Sequence, residues 1–420
     1  MMASIAATVA AAVDADRLAR RHEALAAIGA LRPTGLSREA FTDADFEARR
    51  LILSWADARG YRAFIDPIGN MFFRSAADDR PMPPLVIGSH IDSQPAGGPF
   101  DGQVGVLAAW EAIEALEDAG VELNRPVEVA IWANEEGSRF QPTTMGSAVF
   151  TGRLALDEAL AATDTEGRTL GEELRRLRPT LPGVADRQLG FPIAAFLEAH
   201  IEQGPILERR GVPIGVVSSI QGLRWFTVEV TGRTGHAGTT PEADRRDAAV
   251  AAMDMVAALR ELMRDPADTV RFTVGRFEVR PNAPNTIPGS VLFTIDFRHP
   301  DAEVLRRLGD QVEPICRAHA GRCDVAVRET LDAPPTELDP AISDAIAQAS
   351  VELGISHGEI TSGATHDAKY LAMVCPTGMV FIPCRDGISH SVLEHAEPEH
   401  MLLGTRVLAG AVAILLAAGR

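Results

Sequence analysis

Residues 84–136 decide the fold: PLVIGSH (84–90), a helical stretch ending near Ala119, then VEVAIWANEE (127–136). The first run is short and apolar and ends in polar residues, as a strand buried in a parallel sheet does. From Val104 to Ala119 apolar residues recur at helical spacing (Val106, Leu107, Trp110, Ile113), and Gly120 is placed to cap the end. In the third run Val127, Val129 and Ile131 alternate before two carboxylates, so the pattern predicts a strand over 127–136. Strand, helix, strand is the building unit of doubly wound α/β sheets.

The middle of the chain reads differently. WFTVEVTG (225–232) is a predicted strand, 242–264 a helix, TVRFTVGRFEVR (269–280) and SVLFTIDFRH (290–299) strands, 302–320 a helix, and CDVAVRETL (323–331) a strand. The order β-α-β-β-α-β is that of a ferredoxin-like split unit. Chemistry-bearing residues resume at Ser362. The fold class expected is therefore α/β with two domains: a mixed α/β catalytic domain built from 1–218 and 333–420, interrupted by a ferredoxin-like domain at 219–332. At 420 residues the chain also exceeds the size at which one core usually keeps growing.

A formal charge of −18 argues against nucleic acid as a partner, because phosphate binding needs a concentrated basic face. It also requires that an anionic substrate be met by local positive groups, metals and arginines. Four cysteines with no CxxC pair fit a reduced compartment without a disulfide framework. In MMASIAATVAAAVDADRLARR the arginines follow the apolar stretch, the reverse of a secretory signal. VLAGAVAILLAAG, near the other end, is short for a bilayer span and reads as a terminal core helix. A cytoplasmic protein with no membrane partner is expected.

Candidate chemistry sits at the predicted strand ends. In GSHIDSQPAGGPFDG (88–102) His90 ends a strand and Asp101 lies in a Gly- and Pro-rich loop before a helix. Open α/β sheets place their sites there, and imidazole with carboxylate suits a borderline metal. Asp101 could simply be a helix N-cap. Glu135 and Glu136 repel each other unless a cation or solvent compensates. If the strand continues through them, their side chains point to opposite sides, leaving one for a metal and one for proton transfer. EAHIEQGPILE (198–208) supplies His200. CRDGISHSVLEHAEPEH (384–400) supplies His390, His395 and His400, of which His390 in GISHS best suits a loop turned towards a site.

GSHIDSQPAGGPFDG, NEEGSRF, EAHIEQGP, GHAGTTP, PNAPN, the strand ending in DFR, SGATHDA and GISHS occur in this order over about 84–400. Together they resemble the N-carbamoyl-L-amino-acid hydrolase and allantoate amidohydrolase branch of the aminoacylase/glutamate-carboxypeptidase superfamily. The resemblance implies a phosphorylase/hydrolase-like catalytic sheet, an inserted lid that also joins a homodimer, and two divalent metals per subunit. Zinc is the first choice, with manganese, cobalt or nickel as alternatives. His90 and His200 would bind one metal, Glu136 and His390 the other, with Asp101 bridging and Glu135 as general base. His200 stands where the peptidase and aminoacylase branches usually carry an acid, and so points to the carbamoylase-like branch.

The same resemblance makes His236, in TGHAGTTP, an electrophilic partner for the developing oxyanion, and places Gln203, Asn285, Arg298, Gly363 and His366 around the substrate. Arginine suits a carboxylate through its planar fork, although Asp296 offers Arg298 an ordinary ion pair. Ser93-Gln94 replaces the more frequent Thr-Val. The activity implied is hydrolysis of an N-carbamoyl-L-amino acid to amino acid, carbon dioxide and ammonia. Allantoate, a ureidopropionate-type substrate, an N-acyl amino acid or dipeptide, and a non-catalytic binding protein on the same fold are the alternatives.

Overall fold

The run LVIGSH forms the strand Leu85–His90, with all six residues buried. The computed structural model describes residues 4–75 and 77–419. Leu85–His90 pairs in parallel with Val127–Trp132 on one side and Ala195–Ile201 on the other, and Ala195–Ile201 pairs in parallel with Thr377–Ile382. These four strands are buried along their whole lengths. Their neighbours are antiparallel: Met71–Ser75 and then Tyr61–Ile65 beyond Val127–Trp132, and Ile214–Ile220 beyond Thr377–Ile382. The sheet is thus mixed, with a parallel centre.

The helix Gln103–Asp118 closes the first crossover, and Gly120 takes a left-handed φ of 65° just past its end. Its start shows why glycine is needed. Gly102, at φ 65°, lies so close to His90 that a Cβ there would collide with the imidazole ring. Gly102 is the N-cap residue, without a side-chain cap; Asp101 is not the cap, and its carboxylate is free for other work. The last helix, Pro398–Ala417, is longer than the apolar run implied, and by length and composition alone would suffice to cross a membrane. It is instead core: Val407, Leu408, Val412 and Leu416 are buried in the same hydrophobic cluster as Ile87 and Val129. Each such side chain contributes roughly 1.5–3 kcal/mol on burial.

The chain forms two compact units, one made of residues up to Ser218 and from Glu337 onward, the other of Ser219–Thr336. In the second, Gly222–Thr231 lies between Ser290–His299 and Asp324–Ala333, antiparallel to both. Phe226, Val228 and Val230 bury one face against Phe293, Ile295, Met255 and Leu259, while Trp225, Glu229 and Thr231 stay exposed.

Three expected elements are broken. The 269–280 stretch splits into Arg271–Thr273 and Phe277–Arg280, both pairing with Ser290–His299, with Gly275 in the gap. Glycine weakens a strand interior. The 302–320 helix divides into Ala302–Gly309 and Val312–Ala318, because Pro314 has no N–H to carry the ladder back to Asp310. The 242–264 helix starts late, at Ala248, where the Asp247 carboxylate accepts the N–H groups of Ala249 and Val250; a 3-10 turn, Glu242–Asp244, precedes it. All four cysteines are free.

Candidate metal centre

The four buried parallel strands deliver their carboxyl ends to one place. Leu85–His90 ends on His90, Ala195–Ile201 carries His200, and the chain beyond Thr377–Ile382 brings His390. Val127–Trp132 stops before the acids, contrary to the expected strand over 127–136: Asn134 adopts φ 53°, which no continuing strand tolerates. Glu135 and Glu136 therefore diverge through a turn and not through strand alternation. Gln203, at φ 56°, and His390, at φ 53°, are likewise left-handed. Strained backbone gathers where function demands a particular side-chain direction.

Asp101 is the centre of the cluster. Its Oδ1 lies 3.1 Å from His200 Nε2 and 3.6 Å from His90 Nε2, and its Oδ2 lies 3.4 Å from His390 Nε2. His390 Nε2 is 3.3 Å from Glu136 Oε2. Potential ligand atoms of His90, Asp101 and His200 lie within 4.8 Å of one another, and so do those of Asp101, Glu136 and His390. The two groups share Asp101. Neither His395, which contacts Glu397 at 3.4 Å, nor His400, on the last helix, belongs to them.

The imidazoles are held by their other nitrogens. His90 Nδ1 donates to the carbonyl of Asp92 at 3.0 Å and His200 Nδ1 to that of Ile201 at 2.9 Å. Both rings so turn Nε2 towards Asp101 Oδ1, the orientation that a metal-binding histidine needs, and Gly102 N–H lies 3.2 Å from His200 Nε2. The Asp92 carboxylate accepts the backbone N–H groups of Glu135 and Glu136 at 3.2 and 3.1 Å, fixing the turn that carries both. Glu135 Oε2 sits 3.6 Å from His90 Nε2.

The electrostatics call for cations. Burial, with Asp101 next, pushes the Glu136 carboxyl up to about 7. Burial also raises Glu135 well above the usual range, assisted by Asp367 and Glu136 and opposed by His90. His390 is pushed up to about 9 by its contact with Asp101, with Glu136 adding to it. Burial alone would raise Asp101, but His200, His390 and His90 together hold it well down. Behind these stand the buried acids Asp92, Glu198, Asp367 and Glu394. Imidazole nitrogens and excess buried carboxylate fit divalent metal ions by both donor chemistry and charge.

A sequence model described as Peptidase family M20/M25/M40 matches residues 86–413. The chain belongs to that family. An N-carbamoyl-L-amino-acid amidohydrolase of Rhizobium meliloti is 38% identical over 405 residues, 95% of this chain and 96% of the relative. An allantoate amidohydrolase of Escherichia coli (strain K12) is 35% identical over 389 residues, 92% of this chain and 94% of the relative. The crystal structure of an amidase of the hydantoinase/carbamoylase family from Burkholderia multivorans superposes with a TM-score of 0.89 at 43% identity, covering 96% of this chain and 98% of that one. The branch expected from the ordered motifs and the mixed α/β fold class are thus shown. As an M20-family member the chain is a metal-dependent hydrolase of C–N bonds, in a family of dimetal enzymes.

The remaining candidates of this M20-family chain fall into two sets. Gln203 donates to Asp101 Oδ2 at 2.7 Å, within the cluster. His366 is buried, its ring edge-on to His200 with centroids 4.5 Å apart and its Nε2 2.9 Å from Ser362 Oγ. Burial, with His200 next, holds His366 well below the usual imidazole range, so it stays neutral. Gly363 lies in the exposed part of the same loop. His236, Asn285 and Arg298 belong to the second unit. His236 pairs with Thr286 across a two-residue bridge, and the N–H of Ala237 donates to the carbonyl of Asn285 at 3.1 Å, which brings His236 and Asn285 together. Arg298 makes a two-pronged pair with Asp296, at 3.1 and 2.9 Å.

Several neighbours escaped the sequence reading. Asp92 stands two residues after His90, a signal open to a reader who asks what orients the imidazole. Gln94, noted only as a departure from Thr-Val, donates to Glu136 Oε2 at 2.8 Å. Ser389, adjacent to His390, lies 3.0 Å from Asp101 Oδ2. Glu394, masked by the three histidines around it, accepts the N–H groups of Phe100 and Asp101.

Proposed function

We propose that the chain hydrolyses the ureido group of an N-carbamoyl-L-amino acid, consuming one water and releasing amino acid, carbon dioxide and ammonia. The observation that carries this reading is Asp101, whose two oxygens face two histidine-containing ligand groups while Glu135 stands beside them. His90, Asp101 and His200 would hold one divalent ion and Asp101, Glu136 and His390 the other. Ions held there would supply Lewis acidity, polarising the ureido carbonyl and lowering the pKa of the attacking water.

The chain's own groups do the rest. Glu135, buried and raised in pKa, accepts the proton of the attacking water and returns it to the departing nitrogen. Gln203 orients Asp101 through its amide. His236 meets the developing oxyanion, and Asn285 and Arg298 meet the substrate carboxylate, with Arg298 exchanging its Asp296 partner for the ligand. Gly363 and His366 would meet the substrate from the first unit, where His366 stands edge-on to His200. The same reading gives a cytoplasmic homodimer joined through the second unit, loaded with zinc or with manganese, cobalt or nickel.

The test is a panel of N-carbamoyl-L-amino acids, allantoate, a ureidopropionate, N-acetyl amino acids and dipeptides, offered to metal-reconstituted protein. Ammonia release from N-carbamoyl-L-amino acids above all others is expected. Hydrolysis confined to N-acetyl amino acids or dipeptides would overturn the reading. Allantoate is the second reading, since a relative so named matches this chain nearly as well.

A further inference from the structure

We propose that Glu394 is a positioning residue that sets the spacing between Asp101 and His390 and, through it, the second metal position. The inference rests on the dimetal reading above.

Asp101 and His390 come from loops 289 residues apart in sequence, and no shared element of secondary structure holds them in register. Glu394 spans the gap. Its Oε1 accepts the backbone N–H groups of Phe100 and Asp101 at 3.1 and 3.0 Å. Its Oε2 lies 3.0 Å from Ser389 Oγ, which itself lies 3.0 Å from Asp101 Oδ2. One carboxylate therefore grips the Asp101 loop by its backbone and the His390 loop by the hydroxyl next to the ligand.

The surroundings are shaped around this contact. Glu394 is 4% exposed, and Gly98 leaves the space its side chain fills, since a Cβ at Gly98 would collide with it. The N–H of Glu394 closes a turn onto the carbonyl of Ser391 at 3.0 Å, and the rings of His395 and Phe100 meet with centroids 5.3 Å apart. Glu394 belongs to neither ligand group and, among the described residues, makes no hydrogen bond or ion pair with His90 or His200. Its bonds to Phe100 and Asp101 fall on the ligand that both groups share, while its contact with Ser389 falls on the loop of His390, which belongs to the second group alone; losing all three should loosen the Asp101–Glu136–His390 group more than the His90–Asp101–His200 group.

The experiment titrates metal-stripped full-length protein with Zn2+ alone, following uptake by calorimetry and by metal analysis after dialysis, with circular dichroism to verify folding. Wild type should take up two equivalents. Glu394→Ala should bind the second about 10- to 100-fold more weakly, the usual cost of losing support behind a ligand, and the first with a smaller loss. Glu394→Gln should restore the second equivalent, because its amide oxygen can accept the two N–H groups and its NH2 can donate to Ser389. Ser389→Ala, which removes the hydroxyl link alone, should weaken the second equivalent and leave the first, and it carries the test should Glu394→Ala fail to fold. Two equivalents at wild-type affinity in Glu394→Ala or Ser389→Ala, or a Gln variant as impaired as the Ala variant, would overturn the inference. A wild-type protein taking up fewer than two equivalents would overturn the dimetal reading itself.

Discussion

The two sheets of this chain bury their strands in different ways, and the difference decides where chemistry can sit. In the first unit four parallel strands are covered on both faces, so most side chains along them pack, and only those near the carboxyl ends, His90 and His200, reach the cluster. Function is pushed to the carboxyl ends, where the ladder stops and loops begin. In the second unit the antiparallel strands alternate between core and solvent. Its candidate residues, His236, Asn285 and Arg298, lie in a short bridge, a loop and a half-exposed strand position. One unit supports a buried, charge-dense centre; the other presents polar groups on a more open surface.

The sharpest way to break this contrast is at the centre. Glu135→Gln is expected to keep both metals and lose about 10²- to 10⁴-fold in turnover, the usual reach of general acid–base catalysis. Metal content and single-turnover rates check it, and a variant with near-normal turnover would remove Glu135 from the mechanism. The next largest effect tests burial. Ile87→Ala, in a strand covered on both faces, should cost ~2–5 kcal/mol in denaturant unfolding, whereas Glu229→Ala, on the open face of the second sheet, should stay within about 0.5 kcal/mol. Comparable losses at the two sites would erase the distinction.

Smaller effects sharpen it. Gln94→Val removes the donor to Glu136 Oε2 and should weaken metal binding about 10-fold, read by calorimetry, with the fold unchanged. The pH response follows from two groups whose folded values lie above their unfolded ones. For Glu136, at about 7, the metal-free protein loses stability as pH rises from the ordinary glutamate range through 7; for His390, at about 9, it loses more between about 6.5 and 9. Metal requires both groups deprotonated, so binding releases protons and tightens over the same window. The gap in Tm between metal-free and metal-loaded protein should therefore widen from pH 6 to pH 9, a trend that differential scanning calorimetry would show as absent if these groups are not ligands.

Where the sequence was readable, its signals were local. LVIGSH and SVLFTIDFRH form strands at the expected residues, because an apolar run and a strict alternation each have one cheap solution. The breaks at Gly275 and Pro314 were written in the sequence too, as residues that interrupt a strand and a helix. The turn at Asn134 was less visible, since asparagine after a buried strand signals little until its left-handed φ is seen. The candidate ligands that the fold brings together were legible through motif order, whereas Glu394 was not. Its role depends on hydrogen bonds to a loop almost three hundred positions away, and no local pattern encodes such a contact.

Gly102 carries a last consequence. Its backbone N–H donates to His200 Nε2 at 3.2 Å, and its bare α-carbon is the clearance in which the His90 ring stands. Replacing it with alanine would displace that ring and so mimic loss of the His90 side chain. A screen for inactive variants would accordingly score this position beside the histidines, although it offers the site no side chain at all.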